Sequence, residues 1–367
     1  MNRLIAIDIP ASDRFIAELD QAWSDGDAVL PLDQRLSPEL RRSLAKAFGA
    51  SAIRTSDAQI ELSGGSQMEA DEALVIATSG STGAPKGVVH THASLSASAV
   101  ASTSALGSTS QDHWLACIPV SHIGGFSIIS RARHSGAALT LHETFDAARC
   151  ESAARSGCTH VSLVPTALKR IDSRLFKRIL LGGQAAPPDL PPNVTVTYGS
   201  TETGGGVAYD GVALPGVEIR IRDGEIDIKS PTLCTRYIGA SLKTLDGWLP
   251  TGDIGRLVDG RLEVQGRLTD MIISGGENIW PQQIEQVLRE MSEVEDVAVV
   301  GVADDEWGQV VEVFLETRRS VQREEVREAI LDRLPAYFMP KKIYCMESFP
   351  RTSSGKVDKV ALATLAR

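Results

Sequence analysis

At 367 residues, with 43% apolar content and a formal net charge of -10, the chain carries enough apolar material for a sizeable core, arranged as two unequal domains. That acidic balance, with no basic block and no aromatic-basic interleaving, excludes a nucleic-acid surface. The five cysteines, Cys117, Cys150, Cys158, Cys234 and Cys345, are an odd, scattered set without a CxxC pair, which argues against a disulfide framework or zinc site and for reduced thiols in a cytoplasmic protein.

The N-terminal MNRLIAIDIPASDR carries Asp8 inside its only apolar stretch, which defeats a signal-peptide reading, and no apolar run is long enough for a membrane span. Ala73 to Ala77, ALVIA, reads as a buried strand feeding the run TSGSTGAPKG at 78 to 87. There Gly80, Gly83 and Gly87 permit turns that aim several N–H groups inward, and Ser79, Ser81, Thr82 and Lys86 add hydroxyl donors and a cation. Such a loop can wrap a polyphosphate. A Walker A loop would need glycine where Pro85 stands and Ser or Thr where Gly87 stands, so that alternative fails. A flexible Gly/Ser linker is the bland alternative, against which Lys86 and the strand entry both weigh.

From residue 72 to about 200, the runs WLACIPV, AALTLHE, HVSLVP, RILLGG and VTVTYG alternate with helical segments such as Asp146 to Ser156. That alternation predicts βα units and a mainly parallel sheet with helices on both faces. His122, in the context PxSHxGG, falls on a predicted strand-to-helix turn, with a backbone-satisfied core histidine as its plain alternative. In LLGGQAAPP, Gly182 and Gly183 would let a flat purine approach the backbone, although glycine after a strand is more often only a turn. YGSTET, at 198 to 203, puts Thr201 and Glu202 at a strand's carboxyl end, where open α/β sheets bind ligands. Glu202 can then hold a Mg²⁺ that bridges phosphates, and Thr201 can hydrogen-bond a phosphoryl or carboxyl oxygen. For Glu202 alone, a solvated loop acid is the competing reading.

Between Val217 and Gly266, EIRIRDGEIDIKS and RLVDGRLEVQG each place Asp-Gly between alternating runs, which predicts antiparallel hairpins. WLPTGDIG puts Asp253 after an aromatic-rich strand, where an acid can accept both ribose hydroxyls or simply form a turn. GRLTDMIISGGENIWPQQIE then combines Arg267, Asp270, the pair Gly275 and Gly276, and a helix start at Pro281. The strands VAVVGV and VVEVFLET, a helix around Glu324 to Leu334, KIYCME and a terminal helix complete a small α/β domain. PRTSSGKVDK sets Lys356 in a polar loop before that last helix, where an isolated lysine would ordinarily be a surface residue.

In this order, TSGSTGAPKG, YGSTET, TGD, GRLTDMIISGGENIWP and PRTSSGK resemble the adenylate-forming superfamily of acyl-CoA synthetases, adenylation domains and luciferases, over residues 73 to 360. The resemblance implies a large N-terminal domain, 1–269, of mainly parallel sheets flanked by helices with antiparallel hairpins, which binds ATP and the acyl substrate. It also implies a small mobile C-terminal α/β lid, 270–367, hinged near Asp270, and two half-reactions: carboxylate plus ATP to acyl-AMP, then thiolysis by coenzyme A. Carried over residue by residue, Thr78, Ser79, Gly80, Ser81, Thr82, Gly83 and Lys86 match the phosphate loop, Glu202 the magnesium ligand beside Thr201, Asp253 and Arg267 the ribose contacts, and Lys356 the adenylation lysine. Gly182, Gly183, Gln184, Tyr198 and Gly199 fall with the nucleotide, and Gly275 and Gly276 with the segment that replaces Lys356 when a pantetheine tunnel forms.

Only 77 residues precede the phosphate loop, where most members carry a far longer N-terminal subdomain. That economy, with SHIGGFS and YGSTETGGGVAYDGVALPGVEIRI, resembles the short o-succinylbenzoate:CoA ligases of menaquinone biosynthesis, which implies o-succinylbenzoate, ATP, Mg²⁺ and coenzyme A as the small-molecule partners. The acyl pocket is expected to hold His122, with Gly204, Gly205 and Gly206 leaving room for an aromatic ring. The carboxylate of a diacid that does not react needs a cation, because an unpaired buried charge is expensive. Arg131 and Arg170 are the candidates, each also readable as an ordinary surface arginine. Another aryl- or acyl-CoA ligase, a stand-alone adenylation domain loading a carrier protein, and a non-enzymatic nucleotide-binding module stand as alternatives. The last is disfavoured by Lys86 and Lys356 occurring together. No nucleic acid and no integral membrane segment are expected, the oligomeric state is open with a homodimer among the options, and His113, His134 and His142 receive no role.

Overall fold

A computed structural model describes residues 2–78, 85–184, 186–187, 189–351 and 357–366. The chain divides into two compact units, Met1–Ile219 with Ile228–Leu249, and Arg220–Asp227 with Pro250–Arg367.

The first unit begins with short, fully buried apolar strands, β1 (Leu4–Ile7) and β2 (Ala28–Pro31). Serines start the helices beside them: Ser12 Oγ accepts from Phe15 N ahead of α1 (Asp13–Ser24), and Ser37 Oγ from Leu40 N ahead of α2 (Pro38–Ala47). Next come β3 (Ala52–Arg54), β4 (Gln59–Glu61), β5 (Glu72–Thr78) and β6 (Lys86–Thr91). Strands β3, β1, β2 and β5 run parallel in that spatial order. Strand β6 then returns antiparallel to β5, with Thr78 opposite Lys86. The phosphate-loop run therefore joins two antiparallel strands. Leu74 and Ile76 are buried in one cluster with Phe15, Leu19 and Phe126, and Val75 in another with Ala45 and Phe48, so the sheet is covered on both faces.

Helix α3 (His92–Leu106) leads to a second sheet built from β7 (His113–Ala116), α4 (Ile123–Ser135), β8 (Ala138–Leu141), α5 (Ala147–Arg155), β9 (His160–Leu163), α6 (Pro165–Leu168), β10 (Arg178–Leu181), β11 (Val194–Ser200), β12 (Gly205–Tyr209) and β13 (Val212–Ala213). Strands β8, β7, β9, β10 and β11 are all parallel, as the alternation predicts, and β12 and β13 add an antiparallel margin. Helix α3 has no apolar stripe. Its Ser94, Ser98, Ala99, Ala101, Ser102 and Thr103 are all buried, and Ser98 Oγ and Ser102 Oγ bond to Gly204 O (2.8 Å) and Tyr209 Oη (2.6 Å). Small side chains bring this helix close to β12, and hydroxyl hydrogen bonds replace apolar packing.

The hairpin β14 (Glu218–Arg222) and β15 (Glu225–Lys229) turns at Asp223-Gly224, with φ of 52° and 84°, and β16 (Arg236–Tyr237) and β17 (Ala240–Ser241) extend the first sheet beyond β6. A second such turn, Asp259-Gly260 (50° and 76°), joins β18 (Leu249–Val258) to β19 (Arg261–Arg267). Two left-handed residues in succession are what a tight two-residue hairpin demands, so the Asp-Gly expectation holds at both sites. The four-stranded sheet runs β14-β15-β18-β19.

The second unit continues with β20 (Ile272–Ser274), β21 (Glu277–Ile279), α7 (Pro281–Leu288), β22 (Asp296–Asp304), β23 (Gly308–Glu316), α8 (Arg323–Arg333), β24 (Lys342–Met346) and α9 (Lys359–Leu365). Its sheet runs β21-β20-β23-β22, with β24 parallel to β23. Helix α8 starts one residue earlier than expected, because Gln322 and Glu325 form its capping box. Glu285, buried on α7, accepts from Lys359 Nζ at 2.7 Å and from Val299 N at 3.0 Å, tying α9 and β22 to one helix.

Cys117, Cys150, Cys158 and Cys234 are buried free thiols, and Cys345 is exposed. Among the described residues no helix is long and apolar enough to cross a membrane.

Candidate active site

Strand β5 ends at Thr78, whose Oγ1 donates to Lys86 O at 3.4 Å. Ser79, Gly80, Ser81, Thr82 and Gly83 lie outside the described residues, as does Lys356. Exposed at the start of β6, Lys86 holds its Nζ 5.5 Å above the Tyr237 ring, and Tyr237 Oη donates to Glu202 Oε1 at 3.2 Å. A cation, a phenol and a carboxylate thus link the end of the phosphate-loop run to the residue expected to hold magnesium. Tyr237 carries no signal in the sequence beyond being one aromatic residue in a strand of two residues.

Thr201 and Glu202 follow β11 directly, at the carboxyl end of a parallel strand, as expected. Their backbone is pinned from several sides. His90 Nε2 donates to Thr201 O at 2.8 Å, Cys234 N to Glu202 O at 2.8 Å, and Ser200 N to Thr203 Oγ1 at 2.8 Å. Because Thr201 O can only accept, His90 carries its proton on Nε2. Burial drives the His90 pKa down to about 4, against smaller opposing effects of the Thr201 bond and the Glu202 charge. His90 was not expected at the site. The half-buried Glu202 offers one firmly oriented carboxylate, which fits Mg²⁺, a cation that takes one or two carboxylates and completes its shell with phosphate oxygens and water.

A stability consequence follows. In the unfolded chain His90 takes up a proton near pH 6.5, in the folded chain only near pH 4, so the unfolded state binds more protons between those values. Stability is fully present above about pH 6.5 and falls as the pH drops toward 4, by about 3 kcal/mol for this one group. Chemical unfolding between about pH 8 and pH 4 measures this, and His90→Gln, which keeps a donor for Thr201 O, should flatten the slope. An unchanged slope in that variant would assign the acid sensitivity elsewhere.

The glycines near this loop are required by the chain itself. A Cβ at Gly199 would lie 1.9 Å from Gly205 O, and one at Gly182 would lie 2.5 Å from Thr197 Oγ1. Gly183, Gly204 and Gly205 all take positive φ, Gln184 is exposed, and Tyr198 lies half-buried in β11 opposite Ala208.

His122 is the N-cap of α4, yet its ring makes no capping bond. Instead Nε2 lies 2.6 Å from Arg35 Nη2 and 3.6 Å from Asp33 Oδ2. Nine residues on, Arg131 is 4% exposed, packs its guanidinium 4.8 Å from the Trp114 ring centre and donates to Ser162 Oγ at 3.1 Å. Burial pulls its pKa below the ordinary arginine value, with Tyr209 acting in the opposite direction. Among the described residues Arg131 has no carboxylate partner, and both its Nε and the Trp114 Nε1 are buried donors without acceptors. Arg170 is exposed, its guanidinium 5.2 Å from the Phe145 ring centre.

In the second unit Asp253 sits inside β18, not after a strand as expected, because the strand runs on to Val258 in register with β19. Its cross-strand partner is Arg267, with Oδ1 and Nε 3.7 Å apart, so the two expected ribose contacts are neighbours. Asp270 ends a short 3-10 turn, and Gly275 and Gly276 (φ 57° and 86°) form the β20–β21 hairpin turn. A Cβ at Gly275 would lie 2.5 Å from the Trp307 ring, whereas one at Gly276 would meet nothing within 4 Å.

The AMP-binding enzyme family model matches residues 17–258, and that of the AMP-binding enzyme C-terminal domain matches residues 283–356. The chain belongs to the AMP-binding enzyme family. Within it, the chain is 37% identical over 322 residues to 2-succinylbenzoate–CoA ligase of Listeria monocytogenes serotype 4b (strain F2365), covering 78% of this chain and 68% of that protein. It is 36% identical over 338 residues to the ligase of the same name from Bacillus anthracis (strain A0248), covering 79% and 69%. Among solved structures, o-succinylbenzoate CoA synthetase (MenE) from Bacillus subtilis with the acyl-adenylate OSB-AMP matches at a TM-score of 0.86 and 29% identity, over 98% of this chain and 88% of that one. The same enzyme with ATP and magnesium ion matches at 0.84 and 28%, over 97% and 88%. ATP-bound MatB from Rhodopseudomonas palustris, at 22% identity and a TM-score of 0.86, covers 100% of this chain and 89% of that one, and shares the fold.

Proposed function

We propose that this chain is an AMP-forming acid:CoA ligase that converts o-succinylbenzoate to o-succinylbenzoyl-CoA through an acyl-adenylate, in the cytoplasm, as a step of menaquinone biosynthesis. The relatives named above support the reaction class, and the observation that carries the substrate is Arg131. A guanidinium stays charged, so one that is buried without a carboxylate invites an anion from outside the chain. The succinyl carboxylate of an aromatic diacid supplies it, with Trp114 Nε1 as a second donor in the same neighbourhood. Arg170, stacked in the open, is the weaker of the two candidates.

In the first half-reaction a carboxylate oxygen attacks the α-phosphorus of ATP and pyrophosphate leaves, which concentrates negative charge on phosphoryl oxygens. Lys86, the hydroxyls and amides of residues 78 to 83, and Lys356 meet that charge. Glu202 would hold a Mg²⁺ ion, which would supply a further positive charge there. Thr201 donates to a phosphoryl or carboxyl oxygen, Asp253 and Arg267 hold the ribose, and Gly182, Gly183, Gln184, Tyr198 and Gly199 flank the purine. The acyl group lies by His122, Gly204 and Gly205. For thiolysis the domain 270–367 turns against 1–269 about Asp270 and exchanges Lys356 for Gly275 and Gly276, so that coenzyme A can enter.

Incubation with ATP, Mg²⁺, coenzyme A and a panel of o-succinylbenzoate, benzoate and fatty acids, with mass spectrometry of the thioesters, tests the substrate. Only aliphatic products would sink it. Arg131→Leu should raise KM for o-succinylbenzoate by roughly 10- to 100-fold with KM for ATP unchanged, while Arg170→Leu alters neither. Equal rises for both substrates in Arg131→Leu would reduce Arg131 to a packing role.

A further inference from the structure

Asp33 and Arg35 lie on the loop after β2, at the same end of the sheet as Thr78, because β2 and β5 are neighbouring parallel strands. Arg35 grips Asp33 with both arms of its fork: Nε to Oδ1 at 2.9 Å and Nη2 to Oδ2 at 2.6 Å. Its backbone N–H adds a third bond to Oδ1 at 3.1 Å. Burial works to raise the Asp33 pKa, but the contacts with Arg35 and then with the His122 ring outweigh it and hold the carboxyl well below the usual range. This anchored guanidinium is the group that meets His122 Nε2.

A guanidinium has donors only, so a 2.6 Å contact with Nε2 requires the lone pair there and the proton on Nδ1. We propose that Asp33 and Arg35 are positioning residues for the acyl substrate: Asp33 clamps Arg35, and Arg35 fixes His122 as the neutral Nδ1–H tautomer, leaving that N–H to hold an oxygen of the acid. The inference rests on His122 belonging to the acyl pocket. A neutral donor suits that duty, because an imidazolium beside the attacking carboxylate would draw off the charge that makes it a nucleophile. The ring is free to serve because it does not cap its own helix.

Nitrogen NMR of the full-length chain with labelled histidine, His122 being identified by the signal lost in His122→Gln, reads the tautomer without any substrate. The expected result near neutral pH is an unprotonated Nε2 with Nδ1–H, and loss of that single tautomer in Arg35→Ala. A wild-type Nε2–H or imidazolium would overturn the proposal. In kinetics, Arg35→Ala should raise KM for the acid by roughly 10-fold with kcat and KM for ATP within about two-fold, and Arg35→Lys should recover most of the loss. An unchanged KM for the acid, or equal rises for acid and ATP, would overturn it too. Because the spectroscopic arm needs no substrate, its failure is separable from a failure of the o-succinylbenzoate reading.

Discussion

Lys356→Ala lowers acyl-adenylate formation by roughly 10²-fold or more, the cost of losing one preorganised cation where charge develops on the phosphoryl group. Thiolysis of supplied acyl-AMP stays close to wild type, because no phosphoryl transfer occurs in that step. Pyrophosphate exchange and thioester release, followed separately, measure the two. Equal losses in both would make Lys356 structural, or mean that the proposed rotation about Asp270 does not occur.

The opposite pattern is expected at the glycine turn. Gly276→Leu should suppress thioester formation by roughly 10²-fold while pyrophosphate exchange persists, so that acyl-AMP accumulates on the enzyme. The φ of 86° adds a complication, since any side chain is strained there whatever the space around it. Gly276→Ala provides the control, because it carries the same backbone strain with little bulk. A large difference between the Ala and Leu variants isolates blockage of the pantetheine path. Equal damage, with pyrophosphate exchange lost too, would make the turn's conformation the essential property and remove the tunnel assignment.

Elements that advertise themselves locally were legible in the sequence. Asp223-Gly224 and Asp259-Gly260 specify their turns by backbone preference, and Pro281 marks the first residue of α7 through its fixed φ. Helix α3 illustrates the opposite case, since its buried face is, apart from Leu95, serine, alanine and threonine and gives no periodic signal. WLPTGDIG reads as a strand that ends ahead of Asp253, whereas cross-strand pairing with β19 carries β18 past it. At the site, the motif residues could be found by spacing. Their supports could not: His90, Tyr237, Asp33 and Arg35 reach the loop, Glu202 and His122 through tertiary contacts between residues 35 to 111 positions apart. A single sequence records no trace of such pairings.

The distribution of thiols has a practical meaning for watching this molecule work. With Cys117, Cys150, Cys158 and Cys234 inside and Cys345 outside, a maleimide dye applied to the native chain should react at one address, on β24 of the second unit. A dye there, paired with another on an engineered cysteine in the first unit, would turn the proposed change between half-reactions into a distance read by energy transfer during turnover, with the native sequence supplying one end of the ruler.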